Sequence, residues 1–137
     1  MTSRRRKQQE GQILVLSAVV MAFLFLPLAI FVIDTALVEA GYEQLGETLQ
    51  ASAEDGASML DENAYRSSDG KTVVLDPALA RQTADQSMRV SGLTGLDWQT
   101  SVDGPRVTVS GKLKVHLLLL GTATLQGSRS AIFVYGQ

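Results

Sequence analysis

Residues 13–33 read ILVLSAVVMAFLFLPLAIFVI, a run of twenty-one without a charge and with Ser17 as its one polar interruption. Wound as a helix, that length spans about 31 Å, close to the thickness of a bilayer's hydrocarbon core. A core helix of a globular domain is rarely so long and so uniformly apolar, so the stretch predicts a transmembrane helix. Pro27 would break a helix in water. In lipid it is tolerated, because neighbouring groups re-satisfy the freed carbonyl, and a kink is expected there.

The flanks set the orientation. Arg4, Arg5, Arg6 and Lys7 precede the span, whereas Asp34 and Glu39 follow it. Positive charge is retained on the cytoplasmic side, which predicts an N-terminus inside and a chain outside from about residue 34. A cleaved signal peptide is the competing reading, and Val38-Glu39-Ala40 does place small residues where a signal peptidase cuts. The apolar interior of such a peptide is only about 7–15 residues, however, so the length favours an uncleaved anchor.

Beyond the span no helix breaker intervenes. Val38, Tyr42, Leu45, Leu49, Ala53, Gly56 and Leu60 recur at steps of three and four, the stripe of an amphipathic helix, with Glu39, Glu43, Glu47 and Glu54 on other faces. Gly41 and Gly46 weaken the local propensity by about 1 kcal/mol each relative to alanine, yet one helix from about Ile13 to Leu60 is the simplest reading. Residues 63–70 (NAYRSSDG) are polar loop by composition, and Lys71 to Leu75 suits a short strand. Asp76-Pro77 is a helix start, with Asp to cap free N–H groups and Pro at the first helical position. That helix is predicted to reach about Val90, with Leu79 and Met88 inward and Gly92 ending it.

From Trp98 the period becomes two. Trp98, Thr100 and Val102, then Val107 and Val109, alternate with polar neighbours around the turn signal Asp103-Gly104-Pro105. A last strand from Thr122 to Tyr135 would turn Ala123, Leu125, Ala131, Phe133 and Tyr135 inward. The fold class is therefore α+β and pilin-like: a long N-terminal helix, transmembrane then amphipathic, packed on a small antiparallel sheet of three or four strands with a second helix. The organisation is a cytoplasmic basic tail (1–12), a transmembrane helix (13–33), an amphipathic extension (34–62) and an extracytoplasmic α+β domain (63–137).

Composition excludes several functions. Of twelve basic residues four sit in the tail, and Glu10 is the one acid before Asp34, so eight basic residues face thirteen acidic ones in the remainder. Binding to nucleic acid needs clustered Lys and Arg and is not expected. With no cysteine there is neither a disulfide framework nor a thiolate metal site. His116 is the sole histidine, stands in an apolar stretch and reads as structural. The carboxylates Glu43, Glu47, Glu54, Asp55, Asp61 and Glu62 read as a solvated face without ligand spacing, and no phosphate-binding glycine motif occurs. The expectation is a non-enzyme with no catalytic, cofactor or metal residues and no small-molecule substrate.

Two features remain. Asp34 closes the apolar span; a buried carboxylate there would need a partner, but its boundary position favours a solvated group that only sets topology. Leu117 to Leu120, closed by Gly121, reads first as buried core and second as a loop dipping toward the membrane surface or a partner.

Gly11-Gln12 opening a long apolar helix, Asp34 closing it, and Leu49-Gln50-Ala51-Ser52-Ala53-Glu54 followed by Gly56-Ala57 together resemble the TadE/TadG-like proteins of the bacterial tight-adherence (Flp) pilus system. In that family an LQ-x-A-A-D stretch follows the helix, and Glu54 stands at the family's Asp. Val107-Thr108-Val109-Ser110, the apolar Leu117 to Gly121 and an alternating small-residue strand are similar to a common ending of the family. The resemblance implies a minor pilin or an assembly-platform component. Its partners would be the lipid bilayer and other pilin-like or pilus-assembly membrane proteins, approached through small residues such as Ala18, Ala22 and Ala29. Prepilins of the system are cut after a glycine with a glutamate five residues on. Here Gly11 is followed at that position by Leu16, which implies the uncleaved, TadG-like side. The alternative is a signal-anchored extracytoplasmic binding module unrelated to pili.

Overall fold

The computed structural model describes residues 3–134, with side chains described from Gly11 onward. Helix α1 (Ser3–Ala57) runs 55 residues and passes Pro27 without interruption, a rod of about 82 Å. It begins earlier than the Ile13 start expected from the apolar pattern, so residues 3–12 are already helical. It also ends at Ala57 rather than Leu60, because Ser58 and Met59 close a tighter turn on Asp55 and Gly56. The side chains of Arg4 to Lys7 lie outside the described residues, as does Tyr135.

Two short connections follow. Residues 63–70 are not the plain loop expected from their polarity: α2 (Glu62–Ser67) forms there, because the Asp61 side chain accepts from the N–H groups of Asn63 and Ala64, both at 3.0 Å. Lys71 to Leu75 is not a strand of the sheet. Among the described residues it pairs through one bridge, Leu75 to Leu60, flanked by Asp61 N–H to Val74 carbonyl (2.9 Å) and Asp76 N–H to Met59 carbonyl (3.0 Å). Those bonds tie both ends of the excursion to one spot. Helix α3 (Pro77–Val90) then starts as the sequence predicted, with Asp76 accepting from Ala78 (2.9 Å) and Leu79 (3.0 Å) and Pro77 in the first turn.

The remainder is a meander of β1 (Leu96–Asp103), β2 (Arg106–His116) and β3 (Thr122–Ile132), antiparallel and in the order β1-β2-β3. The β1–β2 turn is the expected Asp103-Gly104-Pro105, with Gly104 at φ 56°. One sheet face is polar and open to solvent. The other carries Val107, Val109 and Leu113 from β2 and Leu125 from β3, all buried under α1 and α3.

The stripe by which α1 covers the sheet is Val38, Gly41, Leu45, Leu49, Ser52, Ala53, Gly56 and Ala57. Tyr42 was expected in it but is 50% exposed. Gly41 takes that place because the sheet comes too close for a side chain: a Cβ there would stand 2.7 Å from Leu125 Cδ1. Glycines on the sheet do the reciprocal work. Gly111 and Gly127 are register partners on β2 and β3, and a Cβ on either would meet a Leu49 methyl at 3.1 or 3.2 Å. The pair forms a slot into which Leu49 and Leu45, both fully buried, are lowered.

Helix α3 meets α1 through small residues as well. Ala80, Ala84 and Met88, four apart, are its buried face, and Gly56 would press on the Ala80 carbonyl at 2.9 Å if it bore a Cβ. Leu79, expected inward, is 41% exposed because the stripe runs one residue further on. Two carboxylates fix α3 laterally. Asp85 accepts from Trp98 Nε1 (3.1 Å) and Thr100 Oγ1 (2.6 Å) on β1, and Asp55 of α1 accepts from Ser87 Oγ (2.7 Å).

The glycine slot predicts that Gly111→Val lowers stability by about 1–3 kcal/mol, through overpacking against Leu49. Combined with Leu49→Ala, the loss falls short of the sum of the two single losses, because the truncated leucine makes room. Urea unfolding followed by Trp98 emission measures both. Ser52 Oγ is buried without a hydrogen-bond partner among the described residues, so Ser52→Ala leaves stability unchanged or raises it by up to about 1 kcal/mol in the same assay.

Candidate membrane-anchoring site

Among the described residues, the apolar part of α1 is largely uncovered by the rest of the molecule. From Ile13 to Ile33 the side chains are exposed apart from Ile30, which is intermediate, and Phe23, for example, is 81% exposed. The most apolar window of the helix has none of its residues buried. A core helix of equal length would be covered by its own domain, so this one has the length, composition and bareness of a single-pass membrane anchor or signal anchor. Ala18, Ala22 and Ala29 all lie on its exposed surface, as do Gly11 and Leu16.

At Asp34 the apolar span ends, and the first buried residue among the described positions of the helix appears. The solvated carboxylate expected there is instead 3% exposed. Its Oδ1 accepts from the Leu118 N–H at 2.7 Å and its Oδ2 from the Leu119 N–H at 2.9 Å. Hydrogen bonds to an ionised acceptor are short and about twice as strong as neutral ones, and two of them offset the cost of withdrawing the carboxylate from water. The fold brings the partners together across 84 and 85 residues. Strands β2 and β3 run down α1 toward the apolar half, and the loop joining them, 117–121, ends beside Asp34.

That loop is closed on itself. Leu117 N–H donates to the Gly121 carbonyl at 2.6 Å, and Gly121 turns the chain at φ 78°, a conformation that favours glycine. The first reading of the leucine run, buried core, is overturned for three of the four: Leu118, Leu119 and Leu120 are 69%, 54% and 67% exposed. Only Leu117 is partly covered. Held by its backbone, the loop turns its side chains outward.

The other singled-out groups do not converge. His116 is exposed at the end of β2, with Nδ1 3.2 Å from Thr122 Oγ1 across the ladder. Glu43 and Glu47 lie on the solvent side of α1, and Glu54 accepts from Gln50 Nε2 at 2.6 Å on the same helix. Asp61 caps α2, and Glu62 pairs with Arg66 at 3.2 Å on its surface. Among the described residues no group of three or more His, Cys, Asp or Glu side chains is placed to hold a metal ion. No family model, no curated protein and no solved structure matches the chain.

Asp34→Ala removes both acceptors of the loop. Hydrogen exchange read residue by residue is expected to show faster exchange at the Leu118 and Leu119 amides, by about tenfold or more, for the loss of bonds worth about 1.5–3 kcal/mol. The amides of β1, far from the loop, keep their protection.

Proposed function

We propose that this chain is a non-enzymatic, membrane-anchored structural or assembly component of a Tad/Flp-type surface pilus, pilin-like in build. It is held in the cytoplasmic membrane by α1 with its N-terminus inside and its α+β domain outside. The observation that carries the reading is the division of labour along α1. The same unbroken helix is bare and apolar over residues 13–33 and supplies the central stripe of the domain core from Val38 to Ala57. A domain built this way cannot be separated from its membrane segment by a flexible linker, which is the arrangement a laterally packed helix assembly requires.

The sequence resemblance to TadE/TadG-like proteins points the same way. The bare half of α1 would associate with other membrane helices by van der Waals packing, for which Ala18 and Ala22, four apart, allow close backbone approach. A free-standing binding module on an anchor is the weaker reading. It calls for a domain that folds from about residue 63 onward, whereas Leu45, Leu49, Ala53 and Ala57 of α1 occupy the middle of this core.

In the host, deletion of the chain is expected to abolish sheared surface filaments, and the full chain to restore them. The double variant Ala18→Leu with Ala22→Leu should insert normally but recover pilus-assembly membrane proteins several-fold less well on co-purification. Filaments that persist after deletion would remove the pilus reading, and unchanged recovery would remove this face of the helix.

A further inference from the structure

We infer that the Leu118–Leu120 tip of the β2–β3 loop inserts into the outer leaflet of the bilayer beside α1, with Asp34 as the internal latch that makes insertion possible. The inference rests on the membrane span proposed above and not on pilus assembly.

Height comes first. A helix of residues 13–33 fills the hydrocarbon core, which places Asp34 at its outer limit. A loop whose backbone is bonded to Asp34 at 2.7 and 2.9 Å lies at the same level, where the neighbouring medium is lipid. The polarity of the loop matches that boundary. Its tip is three exposed leucines, while the strands behind it carry exposed His116 and Thr122 at the neck, then Lys114 and Thr124 one step further. On α1 the same change occurs between Ile33 and Asp34. Apolar tip and polar neck in one plane are the pattern of an element lying in the interface, apolar side chains down and polar ones among the headgroups.

Backbone bonding is the second and independent argument. A loop in water needs no internal partners for its N–H groups, since solvent supplies them. A loop in lipid does. Here three successive N–H groups are satisfied from within: Leu117 by the Gly121 carbonyl, Leu118 and Leu119 by the Asp34 carboxylate. The same bonds serve Asp34, which at the edge of the hydrocarbon would otherwise be an unpaired buried charge. Each group supplies what the other lacks, while the side chains that lipid would accept remain turned outward.

The full chain contains no cysteine, so single labels can be placed freely. Leu119→Cys, Phe23→Cys and Ser101→Cys variants, each carrying a nitrobenzoxadiazole label, would be reconstituted in phosphatidylcholine–phosphatidylglycerol vesicles with and without nitroxide-bearing lipid. The expected result is several-fold stronger quenching at position 119 than at position 101, with position 23 also quenched. Quenching at 23 but not at 119 overturns the inference and leaves the span intact. Absence of quenching at 23 removes the span itself, and the inference with it. Blue-shifted emission at 119 that lipid does not quench, rising with protein density, means that a second copy covers the loop and also overturns it. Adding Asp34→Ala is expected to lower quenching at 119 to the level of 101 without altering 23; unchanged quenching at 119 overturns the latch.

Discussion

The close approach of α1 to the sheet is the constraint on which the rest of the structure depends. Three positions without side chains set it: Gly41 on the helix, and Gly111 opposite Gly127 on the sheet. Because the surfaces are this near, two leucines of moderate size fill the space between them, and each buried leucine contributes about 1.5–3 kcal/mol. The same nearness fixes the height of the sheet along the helix, since Leu49 fits at one level only. Once that level is set, the β2–β3 loop must end beside Asp34, and α3 must cross α1 where Gly56 leaves room for Ala80 and Ala84. The lateral hydrogen bonds of Asp55 and Asp85 then hold α3 in place rather than determine where it goes.

A helix half covered and half bare is unstable as an object in water, because residues 13–33 present an almost wholly apolar surface. What distinguishes this one is how the acid at the boundary is held. Asp34 is 3% exposed, and among the described residues it is not paired with a cation. Backbone N–H groups do the work instead. They carry partial positive charge with no side-chain entropy to lose, and they belong to a loop already closed by its own hydrogen bond. The arrangement stabilises an anion where a lysine or arginine would bring a long, mobile and strongly hydrated partner.

Much of this was legible in the sequence, for reasons that are local. The period of two in Trp98, Thr100, Val102, Val107 and Val109 reflects a sheet with one covered face, and Asp76-Pro77 is a cap that needs only its own neighbours. The long helix followed from uninterrupted apolar periodicity. The misplaced residues have a common origin in reading bulk as burial. Tyr42 and Leu79 have the bulk of inward residues, whereas the tight contacts select Gly41 and Ala80. Residues 63–70 have the polarity of a loop, although the Asp61 cap suffices to start a short helix over the first of them. Lys71 to Leu75 has strand-like residues but is bonded to residues 59–61, just beyond α1, rather than to an edge of the sheet. The burial of Asp34 and the exposure of Leu118 to Leu120 depend on a contact across more than eighty residues, which no local pattern records.

The glycine slot has a consequence for the order in which the molecule can be made. Leu45 and Leu49 are synthesised well before Gly111, Leu125 and Gly127, which enclose them. At about 5–20 residues per second, the stripe waits on the order of ten seconds for its cover. Local hairpin formation between β1 and β2 cannot relieve this, because the slot exists only when β3 has joined. During that interval the nascent chain displays an apolar helix face with no partner of its own. Folding of the domain is therefore a late, nearly all-at-once event, and whatever shields the stripe until then is part of how this chain reaches its structure.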